Sequence, residues 1–193
     1  MAECASVCEH VHLPAQSGSS RVLKAMRRTY DAERYLRLVD RLRAAIPDLA
    51  LGTDIIVGFP GETEADFTET LRVVEAVRYD SAFTFIYSPR HGTEAAGMPD
   101  QVPEDEKHER LERLVEVVQR IAAERNADRV GRVEEVLVEG ASRTDASLLR
   151  GRTRRNTTVN FAGDARPGEL VDVLVEGSTS ATLRGRQAAL VAA

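Results

Sequence analysis

Hydrophobic residues follow two different periods along this chain. Up to about residue 130, short apolar runs alternate with stretches in which apolar positions recur at helical spacing; from Gly131 onward they recur every second residue. The run VHLPAQ at 11–16 reads as a strand. SSRVLKAMRRTYDAERYLRLVDRLRAAIPD then reads as a short helix, a turn near Thr29 to Asp31 and a longer amphipathic helix. Leu36, Val39, Leu42 and Ala45/Ile46 form the inner face of that helix, and Pro47 ends it. LALGTDIIVGF is a buried strand and GFPGET its turn. The following stretch, ETEADFTETLRVVEAVRY, predicts a helix opened by Thr63 and Asp66 at capping-box spacing, with Phe67, Leu71 and Val74 inward. SAFTFIYS is a third strand. The loop after it, RHGTEAAGMPDQVPED, is punctuated by Gly92, Gly97, Pro99 and Pro103 and has the length of a functional loop or lid. Residues 104–130 form one long helix, with Leu111, Leu114, Val115, Val118, Ile121 and Ala122 on one stripe.

These elements make about three strand–helix units, too few to close an eight-stranded barrel. The tail is of another class. VEEVLVEG, LLRGRTRRNTTVNF, ELVDVLVEG and ATLRGRQAALV predict short strands separated by Gly, Asp and Ser turns, a small all-β barrel in the size class of oligonucleotide-binding modules. The expected organisation is an α/β unit over 1–130 followed by an all-β barrel over 131–193. A partial barrel exposes a strand edge, so self-association through that edge is expected as well.

The N-terminus lacks the basic start and apolar stretch of a signal peptide, and no run approaches the roughly 20 apolar residues that span a bilayer; a cytoplasmic protein is the expectation. The net charge of −5 argues against a generically basic nucleic-acid binder, but the charge is uneven. Residues 1–130 hold 17 Lys+Arg against 23 Asp+Glu, whereas 131–193 hold 9 against 8, and four of those nine are Arg150, Arg152, Arg154 and Arg155. Such a cluster suits phosphate contact. Arg152, Arg154, Arg155 and Asn156 sit at a strand-to-strand corner, where guanidinium groups contact phosphates and Asn reads a base edge. Phe161 is the only aromatic after Tyr87, so RNA contact is expected to be led by the backbone of the nucleic acid.

Cys4 and Cys8 have the first spacing of a CxxxCxxC cluster signature, but position 11 is Val. Three thiolates hold an open-site 4Fe–4S cube, so two do not reproduce it. They read as reduced thiols, and His10 and His12, alternating along a strand, read as packing positions; no metal ligand is assigned. Gln16, Ser17 and Ser19 follow a strand and suit the ribose hydroxyls or amino-acid end of a nucleoside cofactor, although a plain turn uses the same residues.

Three segments in order, HLPAQSGSS at 12–20, TDIIVGFPGET at 53–63 and YSPRHGTEA at 87–95, resemble the later part of the radical S-adenosylmethionine (SAM) barrel of the methylthiotransferases. The tail around RTRRNTTVNF resembles the TRAM domain that ends many tRNA-modifying enzymes, so the resemblance runs along nearly the whole chain. The Arg-rich tail is most like the MiaB branch, which methylthiolates isopentenyladenosine beside the tRNA anticodon with SAM and two 4Fe–4S clusters. Branches acting on threonylcarbamoyladenosine in tRNA or on a ribosomal protein are the alternatives. The resemblance implies cofactor contacts from Gln16, Ser17, Ser19 and Arg28, from the strand at Asp54, Ile56 and Val57, from Glu62, and from Ser88. It implies tRNA as partner. Because the cluster loop and what precedes it in the family are not matched, it also implies the C-terminal part of such an enzyme, with no catalytic residue assigned and no activity by itself. The alternative function is a stand-alone RNA-binding protein.

Overall fold

The computed structural model describes residues 1–188. It divides into two compact units, one of residues 11–121 and one of 122–193 together with 1–10. No helix among the described residues is long and apolar enough to cross a membrane.

The α/β part carries strands β1 (His10–His12), β2 (Ala50–Val57) and β3 (Ser81–Ile86) and helices α1 (Ser20–Ala25), α2 (Ala32–Ala45), α3 (Glu64–Val77) and α4 (Glu104–Ala127). The sheet order is β1-β2-β3, and β2 and β3 run parallel, with Asp54 opposite Phe83 and Ile56 opposite Phe85. Strand alternation splits β2 between two faces. Leu51, Ile55 and Val57 pack against Val39 of α2, Phe67 and Val74 of α3 and Leu114 and Ile121 of α4. Asp54 and Ile56 point the other way, beside the exposed Phe83 and Phe85. The capping box of α3 forms as expected, Thr63 and Asp66 satisfying each other's backbone N–H.

The first strand is shorter than VHLPAQ predicts. Pro14 has no N–H to give to a ladder, so regular pairing stops at His12 and resumes only as an isolated parallel bridge between Gln16 and Ile55. The long helix stops at Ala127, and tight turns lead to Gly131 at φ +85°.

The tail forms a closed five-stranded barrel from β4 (Val133–Ala141), β5 (Leu149–Thr153), β6 (Thr158–Ala162), β7 (Leu170–Ser178) and β8 (Thr182–Gln187), in the order β4-β5-β6-β8-β7. Its core is Val136, Val138, Val159, Phe161, Val173, Val175 and Leu183, supplied by alternate residues as a period of two requires. Of the predicted last strand, Ala189 to Val191 lie outside the described residues.

Candidate functional site

Beyond the carboxyl ends of β2 and β3 lies a cleft of about 550 Å³ lined by Gln16, Asp54, Ile56, Phe85, Ile86, Tyr87, Ser88, Arg90, Thr93 and Ala95. Open parallel sheets place ligand sites at this end, where loops and unpaired strand termini leave backbone and side-chain groups available. Ile56, Phe85 and Ile86 give it apolar walls; Gln16, Asp54, Ser88 and Thr93 supply polar groups.

Gln16 is held in the left-handed region at φ +67°, rare for a residue with a side chain. Its backbone is pinned from both sides, N–H to the Asp54 carbonyl at 2.8 Å and carbonyl to the Ile56 N–H at 2.9 Å. The Nη2 of Arg28 donates to Gln16 Oε1 at 2.8 Å. His12 Nε2 lies 3.0 Å from Asp54 Oδ1, within ion-pair reach, and the His12 ring meets Phe83 edge-on with centroids 5.9 Å apart.

Four of the expected cofactor residues thus line one cleft: Gln16, Asp54, Ile56 and Ser88. Arg28 acts on it through Gln16. The other four do not line it. Ser17 and Ser19 are buried beneath the turn, where Ser17 Oγ accepts from the Ser19 N–H and lies 3.3 Å from Thr70 Oγ1, while Ser19 Oγ donates to Asp66 at 2.6 Å. Asp66 also accepts from Arg21 and Thr63. Burial raises the Asp66 pKa, but the bonds from Arg21, Ser19 and Thr63 outweigh it and hold the carboxyl well below the ordinary range. Val57 is buried on the helix side of the sheet.

Glu62 is buried, accepting from the Gly58 N–H and from Arg110 Nη1, each at 2.9 Å. Burial pushes its pKa up, against the pull of Gly58 and Arg110. Arg110 is buried too and also pairs with Glu106, while Lys107, equally buried, bonds Glu104 at 2.7 Å and stands 5.7 Å from the Tyr87 ring. Gly58, at φ +73°, packs on the Lys107 stem so closely that a Cβ would collide with it. These two cations hold the turn after β2 and the end of β3, hence one rim of the cleft. An apolar pattern does not mark them; the one signal is that positions 107, 110, 114 and 121 share one helical face.

In the barrel, the expected RNA residues gather at the β5–β6 turn, which Asn156 completes at φ +61°. Arg152 contacts Glu139 and the Asn156 carbonyl, the latter at 3.0 Å. Arg154 is engaged elsewhere, with Glu9, Glu135 and the carbonyls of Ala5 and Val7. Arg155 is buried and Phe161 is wholly inside the barrel core. Asn156 is exposed and Arg152 and Arg154 are each partly exposed at this turn, Arg154 with its guanidinium engaged by Glu9, Glu135 and the carbonyls of Ala5 and Val7.

Cys4 and Cys8 are exposed and unbonded, and among the described residues no group of three or more His, Cys, Asp or Glu is placed to hold a metal ion. Two exposed thiols do not fit a cubane that takes three.

A family model described as the radical SAM superfamily matches residues 1–74, and one described as the TRAM domain matches residues 128–187. Curated relatives named tRNA-2-methylthio-N(6)-dimethylallyladenosine synthase are similar throughout. The protein from Clostridium botulinum is 55% identical over 97% of this chain and 42% of its own length. Those from Thermoanaerobacter sp. and Acetivibrio thermocellus are 52% and 53% identical over 96% of this chain, and 40% and 39% of their own length. The chain spans about two fifths of the relatives it matches.

Proposed function

Because the chain belongs to the radical SAM methylthiotransferases that carry a TRAM domain, corresponding to their C-terminal portion, we propose that it supplies the SAM-binding wall and the RNA-contacting barrel of a tRNA methylthiotransferase. The substrate would be dimethylallyladenosine in tRNA, and the compartment the cytoplasm. The observation that carries this reading is the cleft itself: Gln16, Asp54, Ile56 and Ser88, drawn from three separate sequence motifs, line one cavity at the carboxyl end of a parallel sheet.

That cavity fits the adenosine end of SAM. Ile56 and Phe85 would flank the flat base, and Gln16, Asp54 and Ser88 would hydrogen-bond its polar edges and sugar. SAM, when bound, supplies the methyl group and the radical-generating sulfonium of the family's reaction. The residues of this chain bind and orient the nucleoside and give it dry walls. Cys4 and Cys8 do not meet the donor requirement of the cluster, so no step is assigned to them, and the chain alone is proposed to be inactive. At the barrel, Arg152 and Asn156 would meet tRNA phosphate and base edge at the β5–β6 turn.

A second reading, RNA binding as the working function with the α/β unit as scaffold, is favoured by the barrel's closure around a core of its own. One experiment separates the two: tRNA binding at two salt concentrations, with S-adenosylhomocysteine titration and iron content after anaerobic reconstitution. Salt-sensitive tRNA binding, nucleoside binding and no stoichiometric iron are expected. tRNA binding without nucleoside binding would favour the scaffold reading, and a stable stoichiometric cluster would end the reading of an inactive chain.

A further inference from the structure

His12, the first residue of the HLPAQSGSS segment, does not line the cleft itself but sits against it. It is the last residue of β1, Asp54 is its neighbour on β2, and the two side chains meet on the sheet face that also carries Ile56, Phe83 and Phe85. The Nε2 of His12 lies 3.0 Å from Asp54 Oδ1, within ion-pair reach, and since a carboxylate only accepts, a proton shared between them is the imidazole's to give. The same ring packs edge-on against Phe83 on that face. Asp54 is therefore fixed through one oxygen, and the other remains for a donor in the cleft that Asp54 lines. The same logic applies across the cleft. A guanidinium only donates, so Arg28 claims the oxygen of the Gln16 carboxamide and turns its NH₂ away from Arg28.

We propose that His12 is a positioning residue of the cleft, holding Asp54 so that its second carboxylate oxygen receives a hydroxyl of a bound ribonucleoside. The ribose diol is the donor-rich part of an adenosine, and a carboxylate with one oxygen already engaged is complementary to it. This rests on the reading of the cleft as a SAM-adenosine site. Arg28 plays the matching part for Gln16.

The test is a double-mutant cycle on the whole chain, read as affinity for S-adenosylhomocysteine by NMR titration, with circular dichroism to show that each variant is folded. H12L and D54N are each expected to weaken binding about tenfold, the loss of about 1.4 kcal/mol, one hydrogen bond to a charged group. The double variant should bind no more weakly than either single one, because both remove the same interaction. H12Q, whose amide can still donate to Asp54, should stay within about threefold of the wild type. A purely structural histidine would give losses that multiply in the double variant and no rescue by Gln. Multiplying losses, or an H12L affinity equal to the wild type, would overturn the proposal. Absence of binding by the wild-type chain would instead overturn the reading of the cleft on which it rests.

Discussion

The hydroxyl of Ser19 donates to the carboxylate of Asp66 across 2.6 Å, joining the turn after β1 to the first turn of α3. The same carboxylate accepts from Thr63 and Arg21, so one buried acid ties the start of α1 to the start of α3. Its depressed pKa sets the sign of a pH effect. A carboxyl whose folded pKa lies below its unfolded value, about 3.9, adds stability that is complete above that value and lost as pH falls through the folded pKa. D66A is expected to destabilise by about 3 kcal/mol at neutral pH, by loss of charge-assisted bonds and of the cap. Its penalty should shrink below pH ~4, measured by urea unfolding across pH. A penalty independent of pH would show that the ionised form is not what stabilises.

Glu62 and Arg110 form a buried pair. R110A would leave a desolvated carboxylate without its cation, a loss of about 3–5 kcal/mol. Because burial already raises the Glu62 pKa, the group gives up stability as pH rises through its folded value. The R110A variant should therefore recover on acidification as Glu62 protonates. Denaturation midpoints of R110A and of R110A/E62Q at two pH values check this, the double variant showing the weaker pH dependence.

Gly58→Ala meets two obstacles, a left-handed φ of +73° and the Lys107 stem. It is expected to cost about 2 kcal/mol or more, with part of the loss regained in G58A/K107A, where the collision is relieved but the backbone strain of about 1 kcal/mol remains. Thermal unfolding of the four chains separates the two contributions.

At the barrel turn, R152A is expected to weaken tRNA binding at every sequence tested and to lower the salt slope by about one. R154A acts by another route, since Arg154 holds Glu9 and the carbonyls of Ala5 and Val7. Its expected signature is faster proteolysis within residues 1–9, and a salt slope equal to the wild type would separate that role from RNA contact.

Strand β3 is an edge of the three-stranded sheet and exposes Phe83 and Phe85. Concentration-dependent self-association of the chain is expected in gel filtration and should be relieved by F85K. A monomer at all concentrations would remove the edge as an interface.

Much of the fold was legible because the two periods are strong signals. The capping residues Thr63 and Asp66, the three strands and the barrel strands all follow from local pattern and turn chemistry. The site was legible in part. Asp54 and Ile56 lie on the open face because alternate residues of β2 must face opposite ways, whereas Ser17 and Ser19 have the composition of a ligand turn but are spent on folding it. Only the approach of Asp66 and Thr70, some fifty residues later, decides their fate. Lys107 and Arg110 were hidden for the converse reason: charged residues usually mark a solvated face, and here they occupy the buried stripe.

The barrel closes in an order that differs from the chain's. Strand β8 inserts between β6 and β7, pairing parallel with the first and antiparallel with the second. During synthesis, β4 to β7 can form hairpins and ladders as they emerge, but the cylinder stays open until Thr182–Gln187 has left the ribosome. The proposed RNA-contacting turn, which depends on barrel curvature, would then take shape only once β8 is in place, so a chain cut short before residue 182 would carry the arginines without the shape that presents them.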